Sequence, residues 1–205
     1  MGINRRGFLG ATAAAMAGLP LLRSSISHAA GASDLVDVSG KDPAAMVAAA
    51  LKSLGGIGAF VKRGHTVVIK ANCGFANPAA WATTTHPETV LAVARACLEA
   101  KARQVILLEN PQGARERCLS RCGVEAALAQ VPQVKIKLLS SPGDFKRVEV
   151  KGGTSLKQVD VAKILLSADL LINLPAAKAH VETGVSFGLK NAMGLIFDRK
   201  AFHTQ

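Results

Sequence analysis

The sequence predicts a Rossmann-like three-layer α/β fold, in which a mostly parallel sheet carries helices on both faces. Short β-branched apolar runs alternate with amphipathic helical segments, and such an order implies right-handed crossovers between parallel strands. The composition agrees, because 49% of the residues are hydrophobic, 19 are Gly and only 4% are aromatic. A chain of 205 residues is also long enough for one domain with a full hydrophobic core.

The first 32 residues are predicted to be a targeting segment. Residues 4–9 (NRRGFL) resemble the twin-arginine export motif, and an Ala/Gly-rich stretch follows, with cleavage expected after Ala29 or Ala32. About 15 weakly apolar residues are fewer than the ~20 that span a bilayer, so no stable membrane span is expected after cleavage. The resemblance implies export by the twin-arginine translocation machinery to the periplasm. Residues 33–205 are then predicted to form a single α/β domain.

The predicted elements of this domain follow one another along the chain. A helix begins at Pro43 after the N-cap Asp42. The segment from Thr85 to Glu88 (THPE) predicts a capping box, with Thr85 as N-cap of a helix that ends near Ala100. Strands are predicted over 65–70, 104–109, 134–139 and 169–174, short helices over 114–122 and 124–131, and an exposed hairpin over 145–150 and 156–161.

The net charge of +11 raises the question of a nucleic-acid or lipid partner. Three of the cations lie in the targeting segment, and the others are scattered without a run of five. Few aromatic residues are present to stack on bases. The sequence therefore predicts a solvated basic surface or a site for a small anion, and no nucleic-acid partner.

Polar residues collect directly after the predicted strands, above all between residues 168 and 203. Groups just past the C-terminal ends of parallel strands face the crevice in which open α/β sheets bind ligands. Lysine and asparagine side chains there, together with free N–H groups at a helix start, indicate a small anionic ligand or a phosphate-bearing cofactor. The candidate binding residues are Lys70, Asn72, Thr85, Asn173, Lys178, Gly184, Lys190 and Asn191.

Three histidines accompany these residues and are the candidate catalytic groups: His86, His180 and His203. Histidines from separate strand-end loops can act as general acids and bases, or can bind a metal with an open coordination position. The surrounding lysines argue against a bare dication. The sequence identifies neither a metal nor a cofactor.

Four cysteines are present, and no CxxC pair occurs, which disfavours an iron–sulfur cluster. Cys97 lies on the apolar face of a predicted helix and is expected in the core. Cys118 and Cys122 share one helix face and could form a disulfide only if that helix breaks. Cys73, next to Lys70, is either an inert small residue or a thiolate stabilised by nearby cations.

The order of these motifs resembles the domain of unknown function 362 family. The similarity covers residues 61–203, and its motifs are VIKAN at 68–72, TTHPE at 84–88, EN at 109–110, NLP at 173–175, KAH at 178–180, Gly184, KN at 190–191 and His203. It implies an α/β fold with its site at the strand ends, but no settled reaction. The histidine, glycine and lysine order more distantly resembles lactate racemase, which holds a nickel–nucleotide cofactor.

Two alternative functions remain open from the sequence. One is a periplasmic metal or redox accessory protein, associated with iron–sulfur proteins. The other is an inactive fragment, because members of the family usually continue past the point that corresponds to residue 205.

Overall fold

The computed structural model describes residues 33–112 and 115–199. The strands of this part are β1 (Thr66–Ala71), β2 (Gln104–Glu109), β3 (Val134–Leu138), β4 (Phe145–Glu149), β5 (Gln158–Ala162), β6 (Leu170–Leu174), β7 (Lys178–His180) and β8 (Gly184–Ser186). Its α-helices are α1 (Pro43–Ser53), α2 (Ile57–Phe60), α3 (Pro87–Glu99), α4 (Arg115–Arg121), α5 (Val124–Leu128), α6 (Lys163–Leu166) and α7 (Gly188–Ala192).

The central sheet has the strand order β3-β2-β1-β6, and every neighbouring pair in it is parallel. The predicted parallel sheet between two layers is therefore confirmed. All C-terminal strand ends lie at one edge of the sheet, which brings together the ends of β1, β2 and β6. Two antiparallel ribbons, β4–β5 and β7–β8, lie outside this sheet.

One face of the sheet is covered by helices. Val67, Ile69 and Ala71 alternate along β1 and pack in a core with α3, α4 and α5. Helix α3 lies at the centre of this layer, because α1 and α5 both pack against it. Cys97 of α3 is buried in this core, as predicted.

The opposite face is covered by short elements. Val68 and Leu108 pack there against Phe145 of β4, Val161 of β5 and Leu165 of α6. The predicted hairpin is confirmed, but the prediction that it is exposed is wrong. Its two strands bury one side on the sheet, since apolar side chains alternate with polar ones along both strands.

No helix in residues 33–112 and 115–199 is long and apolar enough to cross a membrane. The predicted targeting segment, residues 1–32, and the candidate residue His203 lie outside the described residues.

Candidate functional site

A buried lysine lies at the C-terminal end of β1. Lys70 is only 1% exposed. Its Nζ donates to Glu109 Oε2 at 2.9 Å, to Asn191 Oδ1 at 3.2 Å and to the carbonyl oxygen of Ala71. An ammonium group has three N–H donors, so these three acceptors satisfy Lys70 completely.

Glu109 at the end of β2 is the counter-charge of Lys70, and it is 2% exposed. Its Oε2 also accepts a bond of 2.8 Å from the backbone N–H of Cys73, and its Oε1 accepts one of 2.9 Å from the N–H of Asn110. Burying an ionised carboxylate is costly unless it is paired and hydrogen-bonded. These bonds meet that condition and join the ends of β1 and β2.

Two asparagines connect α7 to the same strand ends. Asn191 Nδ2 donates to the carbonyl oxygen of Lys70 at 3.1 Å and to Asn173 Oδ1 at 2.7 Å. Asn173 Nδ2 donates in turn to the carbonyl oxygen of Gly188 at 2.8 Å. The structure thus brings the predicted residues Lys70, Asn173 and Asn191 together, with their polar groups bonded to one another. Their direct contact with a ligand stays a prediction.

Lys178, on β7, has a different environment. Its Nζ donates to the carbonyl oxygen of Thr83 at 2.6 Å and to Asn72 Oδ1 at 3.2 Å, and it lies 5.7 Å from the centre of the Phe75 ring. No carboxylate of the described residues lies within ion-pair distance of it. Burial lowers the pKa of Lys178, and the charge of Glu109 acts in the opposite direction. Lys178 is therefore a half-buried cation with neutral partners.

The start of α3 differs from the predicted capping box. The N-cap is His86, whose Nδ1 accepts from the N–H of Glu88 at 3.3 Å. The hydroxyl of Thr85 instead accepts from the N–H of Asn72 at 2.8 Å and donates to the carbonyl oxygen of Leu174 at 2.5 Å. The prediction that Thr85 is the N-cap is therefore wrong, because its hydroxyl joins the ends of β1 and β6 instead.

Two adjacent threonines provide a matched test of this bridge. Thr84 and Thr85 are both 5% exposed, but the Thr84 hydroxyl has no hydrogen-bond partner among the described residues. Thr85→Val leaves a buried N–H and a carbonyl without partners and is expected to lower the free energy of unfolding by about 1–3 kcal/mol. Thr84→Val is expected to be neutral or stabilising. Urea unfolding of both variants measures the difference, and equal losses would contradict the bridge.

His180 lies on the β7–β8 ribbon, and His86 lies at the start of α3. His180 Nδ1 accepts from the N–H of Glu182 at 3.2 Å, so the ring proton is on Nε2. Lys178 pairs with Ser186 and His180 with Gly184, which puts Lys178 and His180 on one face of the ribbon. His86 is exposed at the start of α3.

No group of three or more His, Cys, Asp or Glu side chains in the described part of the chain is arranged to hold a metal ion. A metal site that includes His203 lies outside the described residues and stays untested.

Two further predicted binding residues, Gly184 and Lys190, lie on β8 and α7. Gly184 has a φ of 71° at the ribbon turn, a conformation that favours glycine. Lys190 Nζ lies 3.1 Å from the Sδ atom of Met193, the residue that follows α7. Burial lowers the pKa of Lys190, and the nearby charge of Glu182 raises it.

Cys73 and Cys122 form a buried thiol pair, and Cys118 lies near it, with its Sγ 3.6 Å from the carbonyl oxygen of Gly74. The hydrogen bond between Cys73 and Cys122 raises the pKa of Cys73 well above its usual range and lowers that of Cys122 to about 7. Burial and the charge of Glu109 raise the pKa of Cys73 further. These effects disfavour a Cys73 thiolate, and the charge of Lys70 acts in the opposite direction.

Comparison with known proteins places this arrangement in a family. Residues 67–205 match the model of a family described as a domain of unknown function, DUF362. The chain belongs to the DUF362 family. It is also similar to the thylakoid-associated protein sll1697 of Synechocystis sp. (strain ATCC 27184 / PCC 6803 / Kazusa), with 30% identity over 152 residues. The match covers 71% of this chain and 44% of that relative, so the DUF362 chain spans less than half of the relative's length.

Three contributors to this DUF362 site were not among the predicted site residues. They are Glu109, which neutralises Lys70, and Thr83 and Phe75, which hold Lys178. The role of Glu109 could have been predicted from the sequence, because an acid that ends a buried apolar strand needs a cation from a neighbouring strand end. Thr83 contributes only its backbone carbonyl, which no residue pattern predicts.

Proposed function

We propose that this DUF362 chain binds a small oxyanion, or the anionic group of a larger cofactor, in the crevice between the ends of β1 and β6. Lys178 is the cation that contacts the anion. The observation that carries the proposal is the contrast between two lysines. Lys70 is bonded to a carboxylate, whereas the partners of Lys178 among the described residues are a carbonyl and an amide oxygen.

The hydrogen bonds of Lys178 leave capacity for a ligand. Within residues 33–112 and 115–199, Thr83 and Asn72 use two of its three N–H donors, which leaves one for a ligand. At an effective dielectric constant of about 20, a unit charge 4 Å from this ammonium would interact with it by about 4 kcal/mol. An anion would also offset the burial that lowers the pKa of Lys178.

The neighbouring residues support a preorganised site. Asn72 accepts from Lys178 through its side chain, while its backbone N–H and carbonyl both bond to Thr85. The ammonium group is thereby fixed before a ligand arrives, which reduces the entropy lost on binding. The Lys70–Glu109 pair next to it carries no net charge, so the charge of Lys178 is left for the ligand.

His180 gives the proposed site a group that could transfer protons. It lies on the same ribbon face as Lys178 and holds its proton on Nε2. If the bound anion is a substrate, His180 is the proposed general acid or base, and His86 and His203 are secondary candidates. Export to the periplasm is proposed from residues 1–32 alone, as a property of the sequence.

Binding of sulfate to the purified chain tests this proposal by calorimetry. Lys178→Met is expected to weaken sulfate binding at least tenfold, which corresponds to about 1.4 kcal/mol. Lys157→Met is the matched control, because Lys157 also donates to a backbone carbonyl but lies in the β4–β5 loop. His180→Ala should retain most of the affinity. Equal affinities of the wild type and Lys178→Met would refute the proposal.

A further inference from the structure

Two arginines lie at the other half of the sheet edge, at the ends of β2 and β3. Arg199 Nη2 donates to the carbonyl oxygen of Asn110 at 3.0 Å, and Arg115 Nη1 donates to that of Leu139 at 3.0 Å. Both are half-buried, and neither has a carboxylate partner among the described residues. Burial lowers the pKa of Arg199, the charge of Glu109 acts in the opposite direction, and the like charge of Arg115 lowers it further.

A cavity of about 560 Å³, largely open to solvent, adjoins Arg199. Its lining residues are Gln112, Arg147, Asp160, Phe197, Asp198 and Arg199. Cavities of roughly 300–1,000 Å³ are typical of small-molecule sites. This cavity is therefore large enough for a ligand of the size of a mononucleotide.

The charges in the cavity are not equivalent. Arg147 forms a two-pronged pair with Asp160, at 3.1 Å and 2.9 Å, so these two charges balance each other. Arg199 has five N–H donors and uses one of them on a neutral carbonyl. Its planar fork matches the geometry of a phosphate group.

Phe197 is the aromatic residue that lines this cavity. The Phe197 ring packs on the Phe145 ring with a centroid distance of 5.2 Å, and Phe197 remains 46% exposed. An exposed aromatic face beside a guanidinium group favours a ligand that joins an anion to a planar ring.

We propose that this cavity is a second ligand site, which binds a nucleoside monophosphate through Arg199 and Phe197. Arg199 binds the phosphate, Phe197 packs against the base, and Arg115 adds positive charge nearby. The site is distinct from the Lys178 crevice, because the buried Lys70–Glu109 pair lies between the two halves of the sheet edge. It therefore goes beyond the function proposed above.

Adenosine monophosphate is the probe for this site, and its binding to the purified chain is measured by calorimetry. Arg199→Gln is expected to weaken binding at least tenfold, and Arg115→Gln by a smaller factor. Arg117→Gln is the matched control, since it removes the same charge from an exposed position on α4. Adenosine and ribose 5-phosphate should each bind more weakly than the intact probe. Circular dichroism confirms that each variant is folded.

Three outcomes would overturn this second site. The first is that the wild-type chain does not bind the probe at millimolar concentration. The second is that folded Arg199→Gln and Arg115→Gln both bind it as the wild type does. The third is that Lys178→Met abolishes binding while Arg199→Gln retains it, which would place the probe in the other crevice. Retained binding in Lys178→Met supports two separate sites, whatever that variant does to sulfate.

Discussion

Glu109→Gln is expected to lower the free energy of unfolding by about 3–5 kcal/mol. The substitution leaves the ammonium of Lys70 charged and 1% exposed, with only neutral partners. It also weakens the acceptor for the N–H groups of Cys73 and Asn110. Chemical unfolding followed by circular dichroism measures the loss. Since domains are typically stable by about 5–15 kcal/mol, a large fraction of the margin disappears.

A second variant separates the unpaired charge from the lost hydrogen bonds. Lys70→Met together with Glu109→Gln removes the buried charge and is expected to recover part of the stability, because a buried pair replaced by apolar groups is often tolerated. Asp160→Asn breaks the exposed pair with Arg147 and should matter far less. If the double variant is no more stable than Glu109→Gln, the unpaired charge of Lys70 is not the cause.

Gly194→Ala is expected to lower the free energy of unfolding by about 1–3 kcal/mol through overpacking. A Cβ atom at Gly194 would lie 2.5 Å from Lys70 Cε, 3.0 Å from Glu109 Oε1 and 3.1 Å from Lys70 Nζ. A lysine terminus normally moves aside easily. Here it cannot move without breaking its buried bonds to Glu109 and Asn191.

Gly58→Ala is the matched control for Gly194→Ala. Nothing lies within 4 Å of a Cβ atom at Gly58, which is part of helix α2. Alanine in a helix is favoured over glycine by roughly 0.5–1 kcal/mol, so this variant should be neutral or slightly more stable. Thermal unfolding of both variants gives the comparison. A Gly194→Ala protein as stable as the wild type would show that the contact around Lys70 is loose.

The sheet could be predicted because its strands carry a strong local signal. The β-branched and apolar run at 104–109 predicts β2 with the bounds that the structure has. The gathering of Lys70, Asn72, Asn173 and Lys178 was also predictable, since parallel strands end at one edge of the sheet. Local sequence patterns were sufficient for features that depend on a short stretch of sequence, such as a strand and the position of its end.

The pairing of these side chains could not be predicted, because it depends on distances between separate elements. Lys70 and Lys178 both follow apolar strands, yet one meets Glu109 and the other meets a carbonyl and an amide. Thr85 and His86 are both able to cap α3, and a tertiary bond of Thr85 to Leu174 decides between them. The thiol state of Cys73 likewise depends on Cys122, 49 positions farther along the chain.

Lys178, and not Lys70, is the proposed cation that meets an anion in the crevice. A crystal of the purified chain soaked in selenate tests it directly, because selenium gives an anomalous peak at the bound anion. We expect a peak within hydrogen-bond distance of Lys178 Nζ, with the Lys70–Glu109 pair intact. A peak beside Lys70 with Glu109 displaced, or no peak near Lys178 when selenate is bound elsewhere, would contradict it.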